Sequence, residues 1–337
     1  MKKKNTKKSY DVVSVGSAVR DIAFYTDDVE LLDNPKKDPT KLKLIGFEYG
    51  AKVRSDKVMR MFGGGAANTS VGISRLGLRN AVLVSVGMDA EGHEIVAELT
   101  KNGVSGELIQ YDKKHPTGSS FLVVEEETHE HVAFASYGAN SYLNISPKVL
   151  NSFKTDWFYI SSISMVNWYS AILRLVNSGS KVAWNPGATQ LAGSAEQLKK
   201  LIKKTTLLIL NKDEATELAL RTGMKRVPGK SQYDCKVLAQ HIHDLGPELV
   251  MVTDGRKGSH VFDGAKFYFS KPAPDRPVDT TGAGDCFGSS FTTGLIKFSG
   301  DIDKSLALAV INSTNLVAHT GAQQGLLKWD KIRTLLK

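Results

Sequence analysis

Residues 279–288 read Asp-Thr-Thr-Gly-Ala-Gly-Asp-Cys-Phe-Gly. The segment that follows, Phe287 to Phe298, carries Phe291, Leu295 and Phe298 at helical spacing, and Gly300 stands just past it as a stop signal. The turn therefore opens a helix whose first N–H groups lack intrahelical partners and whose dipole adds partial positive charge. Glycine at 282 and 284 lets the backbone come close to a ligand, so the turn is suited to an anion, most often a phosphate. An acid in the first helical turn, Asp285, suits the dipole, but that effect is only ~0.3–1 kcal/mol and leaves the glycines unexplained. A carboxylate beside an anion hole can also take a proton from a hydroxyl while the hole holds the phosphoryl group under attack. That is the arrangement of a kinase.

Outward from this turn, short apolar runs alternate with helix-length stretches of mixed polarity: Val12–Val15, Ala81–Val86, Trp157–Ile160, Lys181–Trp184, Leu207–Leu210 and Leu249–Thr253. The rhythm predicts an α/β domain with a mostly parallel, doubly wound sheet, whose ligands collect at the carboxyl ends of the strands. Residues 17–60 and 105–138 break the rhythm with short alternating segments, such as Ser120–Val124 and His131–Ala135 around the turn EEETHE. They predict a small antiparallel β lid added to the core.

The chain has 337 residues, 41% hydrophobic and 23% charged, enough to bury a full core in one large domain or two ordinary ones. No apolar run approaches the ~20 residues of a membrane span, and no secretory segment follows the basic start, so a cytoplasmic location and no membrane partner are expected. The net charge is +9, but more than half of it sits in MKKKNTKK, where Lys2, Lys3, Lys4, Lys7 and Lys8 stand. Residues 1–9 thus read as a disordered basic tail, with the folded domain at 10–337. No basic stripe interleaved with aromatics occurs in the body, so nucleic acid is not an expected partner. Cys235 and Cys286 form no CxxC or Cys/His cluster, and Cys286 reads as a packing residue.

Two phosphate motifs nearly occur and fail. GKS at 229–231 lacks the P-loop glycine at position 224, which is Met224, and the Gly63–Asn68 run ends in asparagine where a dinucleotide fingerprint needs glycine. Still, Gly63, Gly64 and Gly65 admit a ligand to the backbone, and Asn68 offers donors and acceptors to a polyol or to local backbone. Asp21, six residues past the first strand, is either a sugar-hydroxyl acceptor or a solvated loop acid. Asn211 and Glu214 form a reciprocal helix cap or hold the waters of a Mg2+ ion. Thr253, Gly255 and Gly258 form a strand-end turn open to a nucleotide, or a hairpin turn.

In their order along the chain, GG-x3-N, N-x-x-E, T-x-G-x-x-G and DTTGAGD resemble the ribokinase-like, or PfkB, family of carbohydrate and nucleoside kinases. The resemblance spans nearly the whole chain and implies a ribokinase-like three-layer α/β/α core. It implies Asp285 as catalytic base, an anion hole made by the N–H groups of Gly282, Ala283, Gly284 and Asp285, and ATP with Mg2+ as the phosphoryl source. Asn211 and Glu214 then match the magnesium-water positions, and Thr253, Gly255 and Gly258 the nucleotide loop. The Val310–Asn315 stretch, with Asn312, and Gly321-Ala322 resemble the adenine side. Asp21, Gly64 and Asn68 match sugar-holding positions, and Asn140 lies in a G-A-N stretch like the family's. Asp279 and the Thr281 carbonyl match a K+ site, but Gly325 stands where cation-activated members often have serine, which leaves K+ dependence open.

Ribose itself fits poorly. The lysine that ribose kinases carry in the glycine run is Gly65, and no acid occurs from Trp157 to Trp168. Phe24, Phe134 and Tyr137 offer an apolar wall for a base, or ordinary packing. The expected activity is transfer of phosphate to a terminal hydroxymethyl group of a sugar or nucleoside. The alternatives are a phosphorylated sugar held by Lys52, Arg54, Arg60 or Arg75, a vitamin-like alcohol, or a sensor without catalysis. A lid with one open face also predicts a homodimer.

Overall fold

The computed structural model describes residues 7–35, 43–125, 131–225, 233–271 and 277–336. Its strands, in chain order, are β1 (Lys8–Val15), β2 (Val19–Thr26), β3 (Glu30–Asp33), β4 (Lys43–Gly46), β5 (Lys57–Gly63), β6 (Asn80–Leu83), β7 (Ser85–Gly87) and β8 (Gln110–Asp112). They continue with β9 (Gly118–Glu125), β10 (His131–Ser136), β11 (Phe153–Ile160), β12 (Lys181–Trp184), β13 (Leu207–Asn211), β14 (Leu249–Thr253), β15 (Ser259–Phe262) and β16 (Phe267–Ser270).

The main sheet runs β16-β15-β14-β13-β12-β11-β1-β6, parallel from β6 through to β14 and antiparallel at the β14-β15-β16 edge. Its strands carry buried apolar segments on both faces because both faces are covered. Val13, Val15, Phe158, Ile160, Val182, Trp184, Leu208 and Leu210 lie on one face. Val12, Trp157, Tyr159, Ala183, Leu207 and Ile209 lie on the other, where Phe287, Phe291 and Leu295 from the helix Ala283–Lys297 and Leu306 and Ala309 from the helix Ile302–Val317 cover them. This is the mostly parallel sheet that the apolar runs predict, within the three-layer core that the resemblance implies.

The lid is a separate four-stranded sheet, β10-β9-β2-β5. Within it β2 pairs antiparallel with β5 and parallel with β9, while β9 and β10 form a hairpin. The expected EEETHE turn falls largely on residues 126–130, outside the described residues, as does GKS at 229–231. No helix among the described residues is long and apolar enough to cross a membrane.

Four boundaries differ from expectation. The predicted tail ends earlier, because Lys8 and Ser9 pair with Phe153 and Lys154 in β1, and Lys8 forms an ion pair with Glu107; residues 1–6 lie outside the described residues. The lid segment expected from 105 begins only at Gly118, since Ser105 bridges to Ala81 and β8 pairs with β7 along the core. The run Ala81–Val86 divides at Val84, where the chain leaves the main sheet to form β7. Finally, β15 and β16 were hidden in a mixed-polarity stretch, because Ser259 and His260 interrupt the apolar pattern of β15 and the edge strand β16 is only partly buried.

Candidate active site

The helix Ala283–Lys297 begins where the sequence predicts, with Gly282 as its N-cap in the left-handed region (φ 73°) and no side-chain cap. A Cβ at Gly282 would stand 2.5 Å from Ala322 Cβ, so the Gly321-Ala322 loop packs directly on the turn. Asp279 joins the two loops: Oδ1 accepts from Thr281 N and Oδ2 from Gly321 N, both at 2.8 Å. Ala283 N donates to Thr280 O at 3.1 Å, closing the turn. Among the described residues the N–H groups of Gly282, Gly284 and Asp285 have no such backbone partner, whereas that of Ala283 is taken by Thr280 O. Space above Gly284 is open, with nothing within 4 Å of where a Cβ would be.

Asp285 is partly buried in the first turn of this helix. Burial raises its carboxyl from 3.8 to about 6, and a hydrogen bond from Asn68 opposes the rise. That bond runs from Asn68 Nδ2 to Asp285 Oδ2 at 2.9 Å. The other oxygen, Oδ1, lies 3.6 Å from where a Gly65 Cβ would be. Cys286, next in sequence, is buried and its thiol is pushed up to about 12 by burial, consistent with a packing role.

Asp21 borders the other end of the glycine run. A Cβ at Gly63 would lie 1.8 Å from Asp21 Oδ2, and Ser120, opposite in the β2–β9 register, donates its hydroxyl to Oδ1. Burial raises the Asp21 carboxyl, with the Ser120 bond opposing. Two carboxylates thus bracket Gly63–Gly65, a stretch of at most about 7 Å between its end Cα atoms. Gly64 lies against Ser17 and Ala18: its Cβ would meet Ser17 O at 2.6 Å. Ser161, after β11, fills the space beside Gly65, so a longer residue there would collide with it: a Cβ would lie 2.7 Å from Ser161 Cβ. This explains why the lysine of ribose kinases has no counterpart here.

Three expected ligand contacts are otherwise engaged: Asn68, by Asp285 and Gln323 at 2.9 Å each, and two further asparagines. Asn140 is buried, and its amide bonds both main-chain groups of Ala18 at 3.0 Å, clipping the root of β2 instead of facing an acceptor. Asn312 has no exposed surface; it donates to Ser290 Oγ and accepts from Leu327 N, each at 2.8 Å, because its helix turns this face onto the helix Ala283–Lys297. It is a packing residue rather than a nucleotide contact.

Asn211 and Glu214 form the reciprocal cap of the helix Lys212–Arg221, with both bonds at 2.8 Å. The cap occupies one Glu214 oxygen, and burial raises the Glu214 carboxyl. Thr253 pairs with Asn211 across β13 and β14, so both stand at the carboxyl edge of the sheet. Gly255 and Gly258 lie in the β14–β15 connection, a hairpin turn closed by Asp254 N to Gly258 O. Lys212 Nζ holds Asp254 Oδ2 at 2.9 Å and fixes that turn beside the helix start. At Gly325 a Cβ would stand 2.5 Å from Asn315 O, so a larger residue there would force that carbonyl to move.

Ser120 and Gln323 escaped the sequence reading. Ser120 was recognisable only from the β2–β9 register that sets it opposite Asp21. Gln323 lies two residues past Gly321, in a loop already singled out, but its partners Asn68 and Phe62 are more than 250 residues away.

Known proteins resemble this chain over most of its length. An uncharacterized sugar kinase of Archaeoglobus fulgidus is 26% identical over 260 residues, 76% of this chain and 98% of that protein. An ATP-dependent 6-phosphofructokinase of Thermoanaerobacterium thermosaccharolyticum is 25% identical, covering 97% and 94%. The solved nucleoside kinase of Methanocaldococcus jannaschii superposes with a TM-score of 0.74 at 21% identity over 98% of this chain and 99% of its own. The Arabidopsis thaliana ribokinase complexed with ribose and ATP superposes at 0.76 with 20% identity, covering 98% and 99%. These likenesses carry the ribokinase fold, and the family model for pfkB family carbohydrate kinases matches residues 10–329: the chain belongs to the PfkB family and is a carbohydrate or nucleoside kinase.

Proposed function

We propose that the protein transfers the γ-phosphoryl group of ATP to the terminal hydroxymethyl group of a neutral sugar or nucleoside. The observation that carries this reading is the pair of carboxylates, Asp285 and Asp21, at the two ends of the Gly63–Gly65 run. An acceptor of monosaccharide size spans that gap, with its hydroxyls on Asp21 and its hydroxymethyl oxygen at Asp285 Oδ1. Asp285 takes the hydroxyl proton, and the N–H groups of Gly282, Gly284 and Asp285 hold the charge that develops on the phosphoryl oxygens. With its carboxyl near 6, Asp285 is mostly ionised at neutral pH yet basic enough to accept a proton.

The nucleotide lies along Thr253, Gly255 and Gly258 with Gly321 on its far side. Glu214, with one oxygen outside the helix cap, and Asn211 offer hard oxygen donors suited to water-mediated Mg2+, which usually takes few direct protein ligands. Bound there, Mg2+ would neutralise the nucleotide's phosphate charge. Asp279 and the Thr281 carbonyl remain the K+ candidates, although Asp279 already accepts two backbone N–H groups.

The relative named as a phosphofructokinase favours a second reading, a phosphorylated acceptor. Three of its four candidate cations count against that reading. Arg75 is spent on Asn102 and on the carbonyls of Gln323 and Leu326, and Arg54 pairs with Asp56. Arg60 stands opposite Ile22, one residue out of phase with Asp21 and so on the other face of the lid.

The test is ADP release with ATP and Mg2+ on ribose, fructose, adenosine, cytidine, 2-keto-3-deoxygluconate and fructose 6-phosphate, with and without K+. Turnover on a neutral acceptor is expected; turnover confined to fructose 6-phosphate would transfer the conclusion to the second reading, and ATP binding without ADP release would indicate a sensor.

The lid's outward face carries Val58, Phe121, Val132 and Phe134, each at least 39% exposed, and we assign it to a second copy of the chain. Sedimentation is expected to show a dimer that Phe134→Glu converts to monomer. A monomeric wild type at micromolar concentration would end that assignment.

A further inference from the structure

We propose that Gln323 is a positioning residue for the catalytic base: it dictates which end of the Asn68 amide faces Asp285. The inference rests on the reading of Asp285 as base. A primary amide has a donor end and an acceptor end, and its orientation follows from what its neighbours can supply. Asn68 lies between Asp285 Oδ2, to which Nδ2 donates at 2.9 Å, and Gln323 Nε2, from which Oδ1 accepts at 2.9 Å. Gln323 Nε2 also donates to Phe62 O at 3.4 Å, at the end of lid strand β5. A main-chain carbonyl only accepts, and so does an ionised carboxylate. With acceptors at both ends of the chain of bonds, one arrangement satisfies every link: Gln323 presents its NH2 group, Asn68 turns its oxygen to Gln323, and the Asn68 NH2 group meets Asp285.

The opposite Asn68 orientation would set oxygen against carboxylate, repel the ionised base and turn Oδ1 of Asp285 away from the acceptor. Gln323 is itself anchored through its main chain. Arg75 Nη1 donates to the carbonyls of Gln323 and Leu326, each at 2.9 Å, while Arg75 Nε and Nη2 grip Asn102 Oδ1. The titratable groups facing Asp285 from its surroundings are Tyr159 on β11 and Cys286 on its own helix. Burial drives both upward, so neither ionises near neutrality, and the polarity of the Asn68 contact is the adjustable influence on the base.

The test reads the base directly. In ligand-free protein with 13C-labelled aspartate, the Asp285 carboxyl, assigned by its loss in Asp285→Asn, titrates by NMR with a midpoint near 6. Gln323→Met, which keeps length but removes both donors, is expected to raise that midpoint by roughly 0.5–1 unit. Asn68→Leu should raise it at least as much, and the double variant should move it no further than Asn68→Leu alone, because the two residues act in series. The acid limb of the kcat profile should rise in parallel, with KM for ATP unchanged. An unmoved midpoint in Gln323→Met, or a shift that adds to that of Asn68→Leu, would overturn the inference. If Gln323→Met loses its fold, the wild type still decides: the Asn68 Nδ2 protons must shift with the Asp285 midpoint, and their indifference to it counts against the proposal. A shifted midpoint in a protein that phosphorylates no acceptor would keep the positioning role and discard the base reading; normal turnover with an unshifted midpoint would do the reverse.

Discussion

Asp285→Asn is expected to lower kcat by roughly 10²–10⁴-fold while making the protein more stable above neutral pH. Both effects come from one charge. Burial raises the Asp285 carboxyl from 3.8 to about 6, so between those values the folded chain keeps a proton that the unfolded chain has released. Where the folded state binds more protons than the unfolded state, stability falls as pH rises. The loss begins as pH passes the unfolded value and is complete once pH exceeds the folded one, at about 2–3 kcal/mol. Asparagine has no charge to desolvate and can still accept the Asn68 N–H through its own oxygen. Thermal melts at pH 5 and pH 8 should therefore show a larger gain for the variant at pH 8, alongside lost ADP release and retained ATP binding. Equal melting differences at both pH values would contradict a buried, ionised Asp285, and near-normal turnover would remove it as the base.

The parallel core was legible because the strand segments buried on both faces must be apolar, as Trp157–Ile160 of β11 and Leu207–Leu210 of β13 are. The anion turn was legible because its glycines and its following helix are adjacent in sequence. Strands β15 and β16 were less so, because Ser259 and His260 break the apolar run of β15 and partial burial at the sheet edge relaxes the pattern of β16. The site's second layer was invisible for a different reason. Asn140 and Asn312 have the residue type of ligand contacts, and only the tertiary fold reveals that Ala18, Ser290 and Leu327 already occupy their amides. The same holds for Arg75, whose guanidinium could have met a phosphate had the 323–326 carbonyls not been within reach. Local sequence specifies a residue's chemistry, whereas a fold hundreds of residues long specifies what that chemistry is spent on.

The two glycines of the anion turn should separate stability from catalysis. Gly282→Ala is expected to cost roughly 2–4 kcal/mol, because alanine is strained in the left-handed region and its methyl would meet Ala322 Cβ at 2.5 Å. The Gly321-Ala322 loop would have to retreat, which disturbs the Gly321 bond to Asp279 and the Gln323 bond to Asn68, so turnover should fall with stability. Gly284→Ala is the opposite case. Gly284 is helical, and nothing lies within 4 Å of its would-be Cβ, so alanine should fold at least as well and gain up to about 0.5–1 kcal/mol of helix stability. Its methyl nevertheless enters the open space in which the N–H groups of Gly282 and Asp285 would meet the phosphoryl group, and a loss of about 10²-fold in kcat is expected. Melting curves and ADP-release rates on the two variants make the comparison. A stable, fully active Gly284→Ala would show that the phosphoryl group does not pass over this turn, whereas a stable but inactive one would place phosphoryl transfer at the turn without appeal to misfolding.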